Sequence, residues 1–302
     1  MDLSGKTAIV TGSGRGLGLA YATALARSGA AVVVNDVDDS AAQRAVAAIR
    51  EIGGVAVAEV LPVGDSTTAH ALVDRAVGEF GRLDILVNNA GILRDATLWN
   101  MTDDDFDAVI TTHLRGTFTC TRAAAIALRG QRRGGRIICV GSPTGQVGNF
   151  GQTNYAAAKS GIVGMVRTWA LELARAHITV NAVIPVAATD MTKTVPALKT
   201  YVDALAAGEP LAPYARQQLG FGSPEDAAGL VVFLASDAAA DITGQAIGIG
   251  GDRLALWSHP AEVAVALADG SGWSPDAIAG GWAQRFAAVE QRVGQQLPEP
   301  TP

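Results

Sequence analysis

The sequence predicts an α/β protein: a Rossmann-like, doubly wound sheet of seven parallel strands with helices on both faces, plus a helical C-terminal extension. Three observations carry that prediction. Short apolar runs alternate with helical stretches from residue 7 to residue 249. A glycine-rich turn, Thr11-Gly-Ser-Gly-Arg-Gly-Leu-Gly18, joins the first run to the first helix. The second run ends in an acid, Asp36, where such a fold meets a nucleotide ribose.

Thr7–Val10 opens the pattern, and the helix after the glycine turn runs from Leu19 to Ser28. Ala31–Val34 is continuously apolar, as a strand buried on both faces of a parallel sheet must be. The alternation continues with helix 40–52, strand 55–60, helix 67–80 and strand 83–87. A long helix follows over 103–128, with Thr102 as N-cap and Asp103, Asp104 and Asp105 at the positive end of its dipole. Strand 136–140, helix 152–175 and strand 178–184 come next. Ser223 caps helix 224–235, with Pro224 at its first position, and strand 246–249 closes the series.

Two segments stand outside the alternation. Residues 187–221 contain Pro196, Pro210 and Pro213 and predict a substrate flap with short helices. Residues 252–302 follow the 1–251 domain and hold Trp257, Trp273 and Trp282, too many tryptophans for a disordered tail. Ser274-Pro-Asp starts a helix expected to reach about Val293, packing on its own subunit or on a partner.

A net charge of −6 gives no reason to expect nucleic acid or an anionic membrane as partner. No apolar run is long enough to span a bilayer, and the expectation is a cytoplasmic protein. Cys120 and Cys139 sit in apolar segments and read as reduced core residues. No Cys/His cluster has metal-ligand spacing, so no metal is expected.

Tyr155 and Lys159, four residues apart, share one helix face. An ammonium there favours the phenolate, and poising a tyrosine near neutrality takes about 4 kcal/mol. Such a tyrosine can take a proton from an alcohol or give one to a ketone. At the other end, Gly12, Gly16 and Gly18 leave backbone N–H groups and a helix dipole for a pyrophosphate, with Arg15 and Leu17 in the same turn. Asp36 can accept both ribose hydroxyls and would repel a 2′-phosphate, which argues for NAD. Arg15 argues for NADP, but an unscreened carboxylate beside a phosphate costs more than one flexible arginine returns.

Together these residues resemble the short-chain dehydrogenase/reductase family over residues 1–251. The matching pieces are the glycine turn, Asp65, Asn88-Asn-Ala-Gly91, Ser142, Tyr155-Ala-Ala-Ala-Lys159, Asn181-Ala-Val-Ile-Pro185, and Thr243-Gly-Gln with Gly250-Gly251. Gly91-Ile-Leu-Arg-Asp95, His113-Leu-Arg-Gly116 and Gly148-Asn-Phe-Gly-Gln152 are most similar to one branch, the (3R)-hydroxyacyl-CoA dehydrogenase unit of the peroxisomal multifunctional β-oxidation enzyme and its bacterial relatives.

The resemblance implies an NAD-dependent oxidoreductase acting on a secondary alcohol or ketone, a 3-hydroxyacyl thioester in the close branch. It implies Tyr155 as acid/base, Lys159 holding the nicotinamide ribose and depressing the tyrosine pKa, and Ser142 on the substrate oxygen. Asn89, Ala90 and Gly91 would line the adenosine side and Asp65 would cap the adenine. Pro185 and Thr189 would meet the nicotinamide amide, and Asn149 and Gln152 the substrate. His113 stands where most of the family has an Asn that anchors a proton-relay water, and Val186 replaces the usual Gly after Pro185. Lys193, Lys199 and Arg216 in the flap offer charges for a CoA phosphate. The flap's Leu198, Val202, Leu205 and Leu211 would serve a sterol as well, so a steroid or alicyclic alcohol dehydrogenase stays open. A dinucleotide-binding regulator without catalysis is the remaining alternative. Family members pair through the two long helices, which implies a homodimer or homotetramer.

Overall fold

The structure is a computed structural model, and it describes residues 1–189, 192, 198–270 and 272–294. Lys193 and Pro196 lie outside the described residues. Seven strands run parallel: β1 (Thr7–Val10), β2 (Ala31–Asp36), β3 (Val55–Val60), β4 (Ile85–Asn88), β5 (Gly135–Val140), β6 (Ile178–Pro185) and β7 (Ala246–Gly250). Their order is β3-β2-β1-β4-β5-β6-β7. The chain therefore reverses its direction of sheet growth at β1 and β4, which opens a crevice beyond their C-terminal ends.

The sheet has one strand more than the sequence predicts. After β7 the chain turns at Gly251-Asp252 and returns antiparallel as β8 (Arg253–Trp257) on the sheet edge. Gly250 pairs with Arg253 across that two-residue turn, and Gly251 takes φ 49°. The sheet thus continues beyond residue 251, and Trp257 packs on its core rather than in a separate tail.

Both faces of the sheet are covered. Ala8 and Val10 of β1 point into one core, together with α1 (Gly16–Arg27), α2 (Asp39–Glu51) and α9 (Pro224–Ala235). Ile9 points into the other, against α3 (Ser66–Phe80), α5 (Gly116–Gln131) and α7 (Thr153–Leu173). Two-sided burial is why these strands read as unbroken apolar runs.

The predicted 103–128 helix is composite. It comprises α4 (Asp103–Val109), capped by Thr102 as expected, then a π-helical stretch Ile110–Arg115, then α5, which ends at Gln131. His113 sits in the π stretch and is buried. The short α6 (Thr144–Val147) follows β5.

In the flap, α8 (Lys199–Ala206) and a single π turn, Tyr214–Gln218, enclose a small core of Val202, Leu211, Ala215, Leu219 and Phe221, with Leu198 and Leu205 against it. Most of the flap's described apolar residues therefore pack on one another. In the extension, Ser274 caps α10 (Pro275–Arg285), which stops eight residues short of Val293. The extension returns to its own subunit, where the Gly294 N–H donates to the Val147 carbonyl at 2.7 Å.

Candidate active site

A cavity of about 790 Å³ lies beyond the C-terminal ends of the parallel strands. Its walls come from the segments following β1 to β6, at the place where the sheet order reverses.

At one end, β1 leads into the glycine turn. Gly12 adopts φ 60° against Ala90, where a Cβ would lie 2.7 Å from the Ala90 Cα. A Cβ on Gly18 would lie 2.1 Å from the Gly12 carbonyl oxygen, so this approach of turn to helix admits only glycine. Helix α1 has no side-chain cap and no acid in its first turn, which leaves its leading N–H groups and dipole to an anion. Gly12, Arg15, Gly16, Leu17 and Gly18 all line the cavity. The turn is braced from β4. Asn89 Nδ2 donates to the carbonyls of Thr11 (3.0 Å) and Gly12 (2.9 Å), and the N–H groups of Asn89 and Ala90 donate to Thr11 Oγ1.

Asp36 closes β2 with 6% exposure and faces this cavity. Its Oδ2 accepts the Gly14 N–H at 3.0 Å and its Oδ1 accepts the Asp38 N–H at 3.1 Å. The carboxylate is thus pinned beside the glycine turn with lone pairs to spare. Asp65 is placed differently. Its Oδ1 caps α3 by accepting the Thr68 N–H at 2.8 Å, and it is not among the residues lining the cavity.

At the other end, Ser142, Tyr155 and Lys159 converge. Ser142 follows β5, while Tyr155 and Lys159 lie on successive turns of α7. The Ser142 hydroxyl accepts the Thr144 N–H at 3.2 Å and acts on Tyr155, whose pKa it lowers. Lys159, 3% exposed, donates to the Val140 carbonyl at 2.6 Å, and its Nζ stands 5.5 Å from the Tyr155 ring centroid.

Burial dominates the electrostatics at this end. Burial pushes Tyr155 up to about 12; the Ser142 hydrogen bond opposes the shift and the Asp95 carboxylate adds to it. Burial also brings Lys159 down to about 7, with Cys139 opposing, so its positive charge is itself weakened near neutrality.

His113 is 2% exposed and meets Tyr155 edge to face, the ring centroids 5.2 Å apart. Its Nε2 lies 3.0 Å from the Ile92 nitrogen and 2.8 Å from the Ile92 oxygen, and Nδ1 has no partner. Burial first, then the Lys159 charge, holds the ring down to about 3, against the Ile92 hydrogen bond, so it is neutral. A Cβ on Gly91 would lie 2.2 Å from His113 Cε1, and Gly91 is therefore fixed by the histidine.

Asn149 and Gln152 line the same end, joined by Asp95 and Thr144, to which the sequence reading assigned no role. Asn154 is a third such residue. Its Nδ2 donates to the Arg94 and Asp105 carbonyls, and its Oδ1 accepts the Tyr155 N–H, which ties the 92–95 loop to α7. Asp95 and Arg94 fall within a motif that the sequence does display. Hydrogen bonds across 57 residues leave no spacing signal. Pro185, Val186 and Thr189 complete the wall, and Thr189 N–H donates to Thr192 Oγ1 at 2.7 Å.

Two of the flap cations expected for a CoA phosphate, Arg216 and Lys199, have acidic partners. Arg216 binds Asp252 and Asp226 with both arms of its guanidinium, and Lys199 pairs with Asp203 at 2.5 Å. Acidic neighbours one turn away or across the hairpin explain both pairings.

The description "short chain dehydrogenase" matches residues 6–199. The chain is similar to the hydroxyacyl-CoA dehydrogenase ChsB1 of Mycobacterium tuberculosis, 42% identical over 286 residues that cover 91% of this chain and 86% of that one. It is also similar to the peroxisomal multifunctional enzyme type 2 of Drosophila melanogaster, 46% identical over 198 residues, 63% of this chain and 32% of that one. The crystal structure of a short chain dehydrogenase from Mycobacterium avium superimposes with a TM-score of 0.83 at 37% identity, covering 97% of this chain and 98% of that one. With the glycine turn, the buried Asp36 and the Ser142, Tyr155 and Lys159 cluster lining one cavity, the chain belongs to the short-chain dehydrogenase family.

Proposed function

We propose that the protein is an NAD-dependent oxidoreductase that interconverts a 3-hydroxyacyl thioester and its 3-oxoacyl counterpart. One observation carries this reading: a single cavity holds the Asp36 carboxylate beside the glycine turn at one end and Ser142, Tyr155 and Lys159 at the other. The dehydrogenase name of the M. tuberculosis relative supports the substrate class. The residues fit a nicotinamide dinucleotide, since the first turn of α1 is uncapped and Asp36 lines the ribose end. When bound, that cofactor supplies or accepts the hydride.

The chain's own groups handle the proton. Ser142 donates to the substrate oxygen and Tyr155 gives a proton to the ketone oxygen or takes one from the alcohol. Buried as a phenol, Tyr155 is ready to act as an acid at neutral pH. Lys159 orients toward a ribose, and His113 holds the Ile92 loop against the tyrosine. Asp36 disfavours a 2′-phosphate, and Arg15, within the glycine turn, does not displace it. Exposed Phe118 and Ile126 on α5 and Leu171 on α7 support pairing of the long helices in a homodimer or homotetramer.

The test is the change in reduced-nicotinamide absorbance with NAD or NADP against (3R)- and (3S)-hydroxyacyl-CoA, a hydroxysteroid and a cyclic alcohol. Turnover of the 3R thioester with NAD is the expected result. Activity confined to the steroid or the cyclic alcohol would overturn the substrate class. A preference for NADP would overturn the role of Asp36.

A further inference from the structure

Strand β2 reads Ala-Val-Val-Val-Asn-Asp, and Asn35 is buried in it at 1% exposure. Asparagine is disfavoured in strands, and a buried amide is costly unless it is hydrogen-bonded. Both hydrogens of its Nδ2 are engaged, on the Glu59 carbonyl at 3.0 Å and on the Leu61 carbonyl at 2.9 Å. Flipping the amide would set Oδ1 against those two carbonyl oxygens, so the orientation is fixed. The main-chain carbonyl of Asn35 in turn accepts the Ser13 N–H at 2.8 Å.

Leu61, Pro62 and Val63 line the cavity, as do Asp36 and Val37. They lie past the last pair of the β2–β3 ladder, Asp36 with Val60, and Pro62 has no N–H to give. The Asn35 amide therefore extends the hold of β2 one residue beyond the ladder, at the point where this wall begins. Its neighbour Asp36 turns to the Gly14 N–H at 3.0 Å. Two adjacent residues thus hold the glycine turn, the carboxylate and the wall in one arrangement. Every residue of β2 before Asn35 is apolar, so the core does not call for an amide here. The wall does.

We propose that Asn35 is a positioning residue for the adenosine half of the dinucleotide, acting through the Leu61–Val63 wall and the glycine turn. This rests on the dinucleotide reading of the cavity and is independent of which alcohol or ketone is turned over. With the ribose on Asp36, the base lies against the wall. Freeing the Leu61 carbonyl widens the slot that receives the base, while the nicotinamide end, walled by Pro185 and Thr189, is untouched.

The experiment measures three dissociation constants by nucleotide fluorescence: NADH, AMP by displacement of NADH, and reduced nicotinamide mononucleotide, which lacks the adenosine half. Asn35→Leu, of similar size and without donors, should weaken NADH and AMP on the order of tenfold, the value of one to two net hydrogen bonds. Binding of the mononucleotide should stay within about twofold of wild type, as expected for a separate site. Asn35→Thr suits a strand and keeps one donor, so NADH and AMP should weaken by only about threefold. If Asn35→Leu does not fold, Asn35→Thr decides alone by the same split between AMP and the mononucleotide. Equal weakening of all three ligands would mark Asn35 as a general support of the fold, and no weakening of AMP would make the wall independent of it; either result overturns the inference. A wild type that binds the mononucleotide but neither AMP nor NADH would instead overturn the dinucleotide reading of the cavity itself.

Discussion

His113 shows how one side chain can be fixed from several sides. Gly91 leaves room for its ring, Ile92 offers both a donor and an acceptor to Nε2, and Tyr155 covers its face. A neutral ring fits this place and a charged one does not. Its pKa is about 3 in the folded chain against about 6.5 unfolded. Between those values the unfolded chain binds the extra proton, so stability rises with pH across the window and is lost as the pH falls from about 6.5 to about 3. His113→Gln, which does not titrate, is expected to flatten this limb by on the order of a few kcal/mol. Urea midpoints of the two proteins at successive pH values read the difference, and parallel curves would show that the histidine charges without penalty. The sequence exposed Ser142, Tyr155, Lys159, the glycine turn and Asp36, because each sits at a fixed offset from a strand end or helix start. It did not expose Asp95, Thr144 and Asn154 as a network, because their partners lie far along the chain. Asp65, expected at the adenine, caps α3 with Oδ1, a helix-end role that the sequence pattern alone also allows.

Elements built on periodicity were legible to within a few residues, including the N-caps Thr102 and Ser274, whose side chains accept the expected N–H groups. The π stretch at Ile110–Arg115 was not legible, since a widened turn has the same apolar spacing within error as an α-turn. The flap gave a different difficulty. Its apolar residues read as ligand-facing; they pack on one another, and Leu198, Leu219 and Phe221 also line the cavity, while Lys199 engages an acidic neighbour. Arg216 ties the π turn Tyr214–Gln218 to α9 through Asp226 and to the β7–β8 turn through Asp252, and these partners push its pKa higher still. A guanidinium engaged on two carboxylates is a poor phosphate ligand. Arg216→Ala should therefore lower Tm by a few degrees while leaving both KM for an acyl-CoA and its salt dependence within about twofold of wild type. A KM that rises and loses its salt dependence would return Arg216 to the substrate site.

At the scale of the whole molecule, the parallel sheet followed from the alternation of runs, but its end did not. Leu254-Ala-Leu-Trp257 is a short apolar run directly after a Gly-Asp turn, a hairpin signal that a purely parallel expectation passes over. The pairing has a structural purpose. Without β8, the five residues of β7 would present an unpaired edge, and Trp257, whose Nε1 would be 3.2 Å from a Cβ on Gly248, would no longer cover that strand. Open edges of this kind recruit other chains. His259 reinforces the return, with Nε2 2.9 Å from the Gly244 carbonyl. Two shortened chains separate sheet from extension. Ending at residue 260 keeps β8 and His259, and Tm is expected to stay close to that of the full chain. Ending at residue 251 removes the edge strand, and a clear drop in Tm with growth in light scattering is expected. If the 251-residue chain were as stable and as small as the 260-residue chain, β8 would be dispensable, and the sheet would end at β7 as the alternation alone predicts.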